Sequence, residues 1–101
     1  MHIISKKILR EFWVLHPAAE APLRLWHSRV HQLHVMDFNQ LKANWPSADY
    51  VPPYTVFNIA GNHYRLIAHV HYQSNRVYIH TVLTHNDYDR WGRQNRKRGH
   101  P

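Results

Sequence analysis

The sequence predicts an α+β domain: two N-terminal helices packed on one face of a small, mostly antiparallel sheet, followed by a short C-terminal helix. Two periodicities and one boundary carry this prediction. Apolar residues recur at helical spacing through the first third of the chain and alternate at strand spacing from Tyr54 to Leu83. Between them lies "WPSADYVPPY", with three prolines in residues 46–53, which reads as a loop delivering the chain to the sheet. Helices followed by strands, without βα alternation, give α+β layering.

In chain order, "MHII" forms a short first strand and Ser5 is placed to cap a helix over Lys6 to His16. Ile8, Phe12 and Leu15 are its predicted buried stripe. The residue before proline is pushed out of helical geometry, so the helix ends at His16-Pro17. A second helix starts near Ala21-Pro22 and runs to about Val35, with Leu23, Trp26, Val30 and Leu33 or His34 inward. Asp37 caps a further turn, "FNQLKANW". Three strands are then expected at Tyr54–Ile59, Tyr64–Tyr72 and Arg76–Leu83, joined by the turns "AGNH" and "QSN". Thr84 can cap a final helix, with Asp87 in a capping-box relation. Residues 1–91 are read as the domain and residues 92–101 as a basic tail, flexible or ordered on a partner.

Charge limits the partners. The 101-residue chain carries 13 Lys and Arg against 6 Asp and Glu, a formal charge of +7, and nine of the cations are Arg. Such a surface favours a polyanion, and guanidinium groups suit bidentate contact with phosphate. There are no cysteines, so disulfides and thiolate metal sites are excluded. No apolar run reaches the ~20 residues that span a bilayer, and the N-terminus lacks a signal-peptide pattern. A cytoplasmic protein that does not meet the membrane is expected.

The hairpin "VFNIAGNHYRLIAHVHY" is where chemistry first shows. With Gly61 and Asn62 at the tip of a two-residue turn, Asn58 falls opposite Arg65 and Val56 opposite Ile67. A "QSN" turn then sets Arg65 opposite Leu83 and His63 opposite His85. Asn58, His63, Arg65 and His85 gather at one end of one face, which should be partly open. Phe57, Ile59, Leu66, Ala68 and Val70 point to the other face, beneath the helices. An arginine, imidazoles and the nearby Tyr88 suit phosphodiester cleavage. Cutting RNA without a metal needs a base for the 2′-OH proton, an acid for the leaving oxygen and a cation for the charge growing on phosphorus.

The three blocks "LKANWPSADYV", "VFNIAGNHYRLIAHVHY" and "RVYIHTVLTHNDYDRW" resemble the HigB family of type II toxins, relatives of RelE that cut messenger RNA on the translating ribosome. The resemblance implies a compact RelE-like fold and a metal-independent endoribonuclease (an mRNA interferase). It also implies neutralisation by a HigA-like helix-turn-helix antitoxin, so that DNA is met only indirectly. Carried over by motif, Arg65 matches the strand arginine of "GN-x-YR", Thr84-His85 and Tyr88-Asp89 match "TH-x-x-YD", and Lys42 matches the lysine of "LK". The implied catalytic residues are Arg65 on the scissile phosphate, His85 as general acid or base, and Tyr88 stacking on a base or positioning the 2′-OH. Lys42, Asn58, His63 and Arg90 are the implied RNA and phosphate contacts. Ala60 stands where glycine is frequent, which stiffens the turn. His63 stands where lysine is common, which makes that cation conditional on pH.

Three other readings compete. His27, His31 and His34 share a helical face, and His69 and His71 a strand face, as metal ligands can. Solvated or hydrogen-bonded histidines account for this spacing, and neither metal nor cofactor is expected. A non-catalytic RNA- or ribosome-binding module could use Trp45, Tyr50, Tyr54 and Trp91 for stacking. A ParE-like toxin with a different target would keep the fold; the His85 and Tyr88 pair argues against it.

Overall fold

The structure is a computed structural model that describes residues 1–98, with side chains through Gln94. The elements are β1 (His2–Ile4), α1 (Lys6–Leu15), a 3-10 turn (Pro17–Ala19), α2 (Glu20–His31), α3 (Phe38–Asn44), β2 (Asp49–Val51), β3 (Tyr54–Ile59), β4 (Tyr64–His71), β5 (Arg76–Thr84) and α4 (His85–Arg98). The five strands form one sheet in the order β1-β5-β4-β3-β2, in which only the β1–β5 pairing is parallel. The fold is α+β, with the mostly antiparallel sheet that the alternation implies.

The predicted register holds. Asn58 pairs with Arg65, Val56 with Ile67 and Arg65 with Leu83, while the His85 amide donates to the His63 carbonyl at 3.1 Å. A bulge follows Ile67: Ile67 faces Thr81 and Ala68 faces Ile79, so His80 is the extra residue on β5. The turn from Ala60 to His63 closes through a His63 N–H bond to the Ala60 carbonyl, with Ala60 and Gly61 at φ of +53° and +65°. Left-handed backbone is routine for Gly61 but costs an alanine on the order of 1–2 kcal/mol.

The main core joins Phe57, Ile59, Leu66, Ala68, Val77, Ile79 and Val82 of the sheet to Leu9, Trp13, Leu23, Trp26, Val30 and Leu41 of the helices. Trp26 and Phe57 meet edge to face at its centre, 5.3 Å apart. The α1 stripe is shifted from expectation. Leu9 and Trp13 are buried with Ile8 and Phe12 beside them, whereas Leu15 is 78% exposed. The helix meets the sheet along 8-9-12-13, and Leu15, at the last turn, swings past the sheet's edge. α2 stops at His31, short of Val35, with the Met1 ammonium donating to the carbonyls of His31 and Leu33 at 2.9 and 2.6 Å. The expected Pro-rich loop contains β2, whose three residues pair with β3. The Asp37 cap is formed, its carboxylate accepting from the Gln40 amide at 2.9 Å.

The opposite face is more covered than the sequence reading expects. α4 leaves β5 without a loop, the Asp87 amide donating to the Thr84 hydroxyl at 3.3 Å. It then folds back over the sheet, where Tyr88 and Trp91, at i and i+3, pack on Val51, Val56, Ile67, Tyr54 and Leu83. This second, smaller core leaves one corner of the face for the polar cluster. α4 continues to Arg98, into the stretch read from sequence as a tail; residues 99–101 lie outside the described residues.

Candidate active site

Arg65 is the second residue of β4 and faces α4. Although charged, it is only 8% exposed. Its guanidinium donates to the Tyr64 carbonyl at 3.1 Å and to Asn62 Oδ1 at 3.3 Å, and Nη2 lies 3.5 Å from His85 Nδ1. Below it, the Tyr88 ring lies 5.3 Å from Cζ, a cation–π distance. Among the described residues no carboxylate forms an ion pair with Arg65. Arginine is seldom buried without a counter-ion, because desolvating the charge is costly. A cation in this setting can take an anion that arrives from outside.

His85 opens α4 and remains half exposed. Its Nε2 lies 3.5 Å from Asp89 Oδ2, one helical turn on. Arg65 can only donate, so a hydrogen bond here is made by the His85 tautomer that carries its proton on Nε2, facing the carboxylate. Imidazole is thus held between a cation on one nitrogen and an anion on the other. The sequence reading matches Asp89 to the family block but assigns it no role. The signal was the i, i+4 spacing to His85 within "HNDYD".

A cleft of about 490 Å³ opens beside His85, lined by His16, Asn62, His63, Tyr64, Thr84, His85 and Asn86. His63 reaches it from the hairpin tip. His16 reaches it from the end of α1, stacked on Phe12 at 4.4 Å and edge-on to Tyr64 at 6.1 Å. No local pattern joins residue 16 to residue 85, so only the tertiary fold could reveal this third imidazole. Arg65 contacts both His85 and Tyr88, and His63 borders the cleft that His85 lines. Asn58 pairs with Arg65 across the strands and lines a second cleft on the other side of the hairpin tip. Lys42 lies elsewhere, on α3, where Nζ donates to the carbonyls of Pro46 and Ala48 at 3.1 and 2.7 Å and ties down the loop before β2. Arg90 pairs with Asp87 on the surface of α4.

The histidine pairs read as possible metal ligands do not extend to a third ligand. His27 and His31 stack with ring centroids 6.0 Å apart, but His34 lies beyond the end of α2. Among the described residues no group of three or more His, Cys, Asp or Glu side chains is arranged to hold a metal ion. No helix among them is long and apolar enough to cross a membrane.

Residues 19–91 match the HigB_toxin family, described as the RelE-like toxic component of a toxin-antitoxin system. Three curated relatives are each 31% identical over 102 residues, covering 98% of both chains. They are the mRNA interferase toxin HigB of Escherichia coli K12 and the mRNA interferases HigB of Escherichia coli O157:H7 and Shigella flexneri.

Proposed function

This chain belongs to the HigB family of RelE-like toxins, and on that premise we propose that it is an endoribonuclease that cuts translated messenger RNA. The observation that carries the reading is the buried Arg65, with no carboxylate paired to it among the described residues, in contact with an imidazole that lines a cleft.

In the proposed reaction, a backbone phosphate binds Arg65 and draws Nη2 away from His85. Nδ1 of His85 is thereby released to take the 2′-OH proton. The 2′-oxygen attacks phosphorus, the bond to the 5′-oxygen breaks, and a 2′,3′-cyclic phosphate and a 5′-OH result. Asp89 stabilises the imidazolium through Nε2–H, and the same imidazolium or a neighbouring imidazole protonates the leaving oxygen. Arg65 compensates the charge that grows on the phosphoryl oxygens. Tyr88 supports the guanidinium from below and positions the 2′-OH or stacks on a base. Lys42, Asn58, His63 and Arg90 supply outer contacts to flanking RNA. All these groups come from the chain itself, so no metal or cofactor enters the scheme.

The ribosome supplies the remaining orientation by presenting a codon in bent geometry, worth several orders of magnitude in effective concentration. A HigA-like helix-turn-helix antitoxin neutralises the toxin and links it to DNA, and a target on translating ribosomes places its action in the cytoplasm. Induction of the chain followed by mapping of transcript 5′ ends tests this. Codon-phased cuts are expected in translated messages and are lost with Arg65→Ala and His85→Ala. Intact messages with stalled ribosomes would instead make the protein a non-catalytic binder.

A further inference from the structure

We propose that the cleft on the far side of the hairpin tip, between α2, the loop after α3 and the β3–β4 turn, is a nucleobase subsite. It would seat one base of the RNA next to the phosphate held by Arg65. The proposal rests on the RNA-cleaving reading above and adds to it where a base lies and what holds it.

Size is the first argument. This cleft measures about 770 Å³, well above the 490 Å³ of the histidine-lined one. It falls within the range of roughly 300–1,000 Å³ typical of small-molecule sites. Its walls are the second. Trp45 lines it with the Arg29 guanidinium 5.9 Å over the indole, Leu25 adds an apolar rim, and Asn44 and Asn62 bring carboxamides. The Asn44 amide nitrogen is held by the Gln40 carbonyl at 2.9 Å, which fixes that group's orientation. Among the described residues no carboxylate lines the cleft. A flat aromatic–guanidinium wall with carboxamides at its edge suits a base, which stacks on its face and hydrogen-bonds along its edge. An acidic peptide would find Arg29 as the one cation in this lining.

Continuity is the third argument. Asn62 borders both clefts, and its Oδ1 accepts from Arg65 Nη2 at 3.3 Å. A strand of RNA crossing the hairpin tip would therefore place a base on Trp45 and a neighbouring phosphate on Arg65. Engaging Asn62 from the base side would also set the guanidinium's position.

The test uses the full-length chain and 2′-O-methyl RNA trinucleotides, which bind but cannot be cut. NMR follows the Trp45 indole, the Asn62 carboxamide and the His85 ring. An intact trinucleotide is expected to move all three. One carrying an abasic residue at the seated position should leave Trp45 unmoved while still moving His85, and bind about tenfold more weakly, roughly 1.4 kcal/mol. Trp45→Ala should bring the same loss for the intact ligand. Because Trp45 also packs edge-on against Phe57, Leu25→Glu at the half-exposed rim serves as a second variant. It should weaken binding several-fold without disturbing the core. Movement of His85 without Trp45 by every trinucleotide would overturn the subsite and leave the cleavage reading standing. If His85 is also unmoved, both fail. Movement of the Trp45 and Asn62 signals by the antitoxin but not by RNA would make the cleft a protein-docking groove and overturn the proposal.

Discussion

Replacing Arg65 with methionine separates an anion-binding arginine from a structural one. The guanidinium is 8% exposed and contacts a carbonyl, a carboxamide oxygen and an imidazole nitrogen, all uncharged acceptors. A structural role would make the substitution costly, since breaking a buried charged network typically destabilises by about 3–5 kcal/mol. A cation held for a ligand instead carries an uncompensated desolvation cost in the free protein, and methionine relieves it at similar volume. Arg65→Met is therefore expected to unfold within about 1 kcal/mol of the native chain, or above it. Cleavage of translated message should fall by about 10²–10³, the usual consequence of removing one preorganised donor to developing charge. Inorganic phosphate gives a second readout. At ten times its dissociation constant it should stabilise the native protein by about 1.4 kcal/mol. For a domain near 100 residues this raises Tm by roughly 6–11 °C. Arg65→Met should show only the general salt effect, so the difference between the two melting curves isolates the site. A methionine variant weakened by more than about 3 kcal/mol, on the scale of a broken buried network, would refute the reasoning. Equal phosphate stabilisation of both proteins would do the same.

Three further outcomes are expected. Asp89→Asn should lower kcat roughly tenfold at unchanged KM, because the carboxylate acts through His85 and not on the RNA. Its exposed position limits the effect on stability to about 0.5 kcal/mol, so a large change in Tm would point to a structural role. Ala60→Gly should raise the urea midpoint, by about 0.5–1 kcal/mol in stability, since Ala60 sits at φ +53°. Gly61→Ala should do the reverse: an added Cβ meets nothing within 4 Å, so the cost is one of φ alone. At His27, burial, then the charges of Lys6 and His31, hold the imidazole below its ordinary pKa of 6.5. The unfolded chain therefore binds more protons in the window below 6.5. Neutral His27 contributes stability above that pH, and acidification through the folded pKa removes it. An NMR titration should place its midpoint below 6.5 in the native chain. His31→Gln should raise the midpoint only part of the way, because burial is the larger cause. A native midpoint at or above 6.5 would contradict the assignment.

Much of the site was legible before any coordinates. The Gly61-Asn62 tip and the Tyr64-Arg65 spacing sufficed to set Asn58 opposite Arg65 and to bring His85 beside His63. Hairpin register follows from turn length, and that is written in adjacent residues. The Asp37 and Thr84 caps were readable for the same reason: a cap is an interaction across three residues. The α1 stripe was misjudged at Leu15, because several neighbouring faces of a short apolar helix satisfy the same periodicity. The sheet, not the helix, selects among them.

What the chain's local order determined is the set of elements, the hairpin register, and the meeting of a guanidinium with an imidazole at one end of the sheet. Only the tertiary structure decided that Arg65 lies buried with no carboxylate paired to it among the described residues. It likewise decided that α4 closes over it through Tyr88 and Trp91, and that His16 faces the cleft that His85 lines. The physical reason is one of range. Turns, caps and alternation are settled within a few bonds, whereas burial and charge environment depend on which distant faces win the competition to leave water.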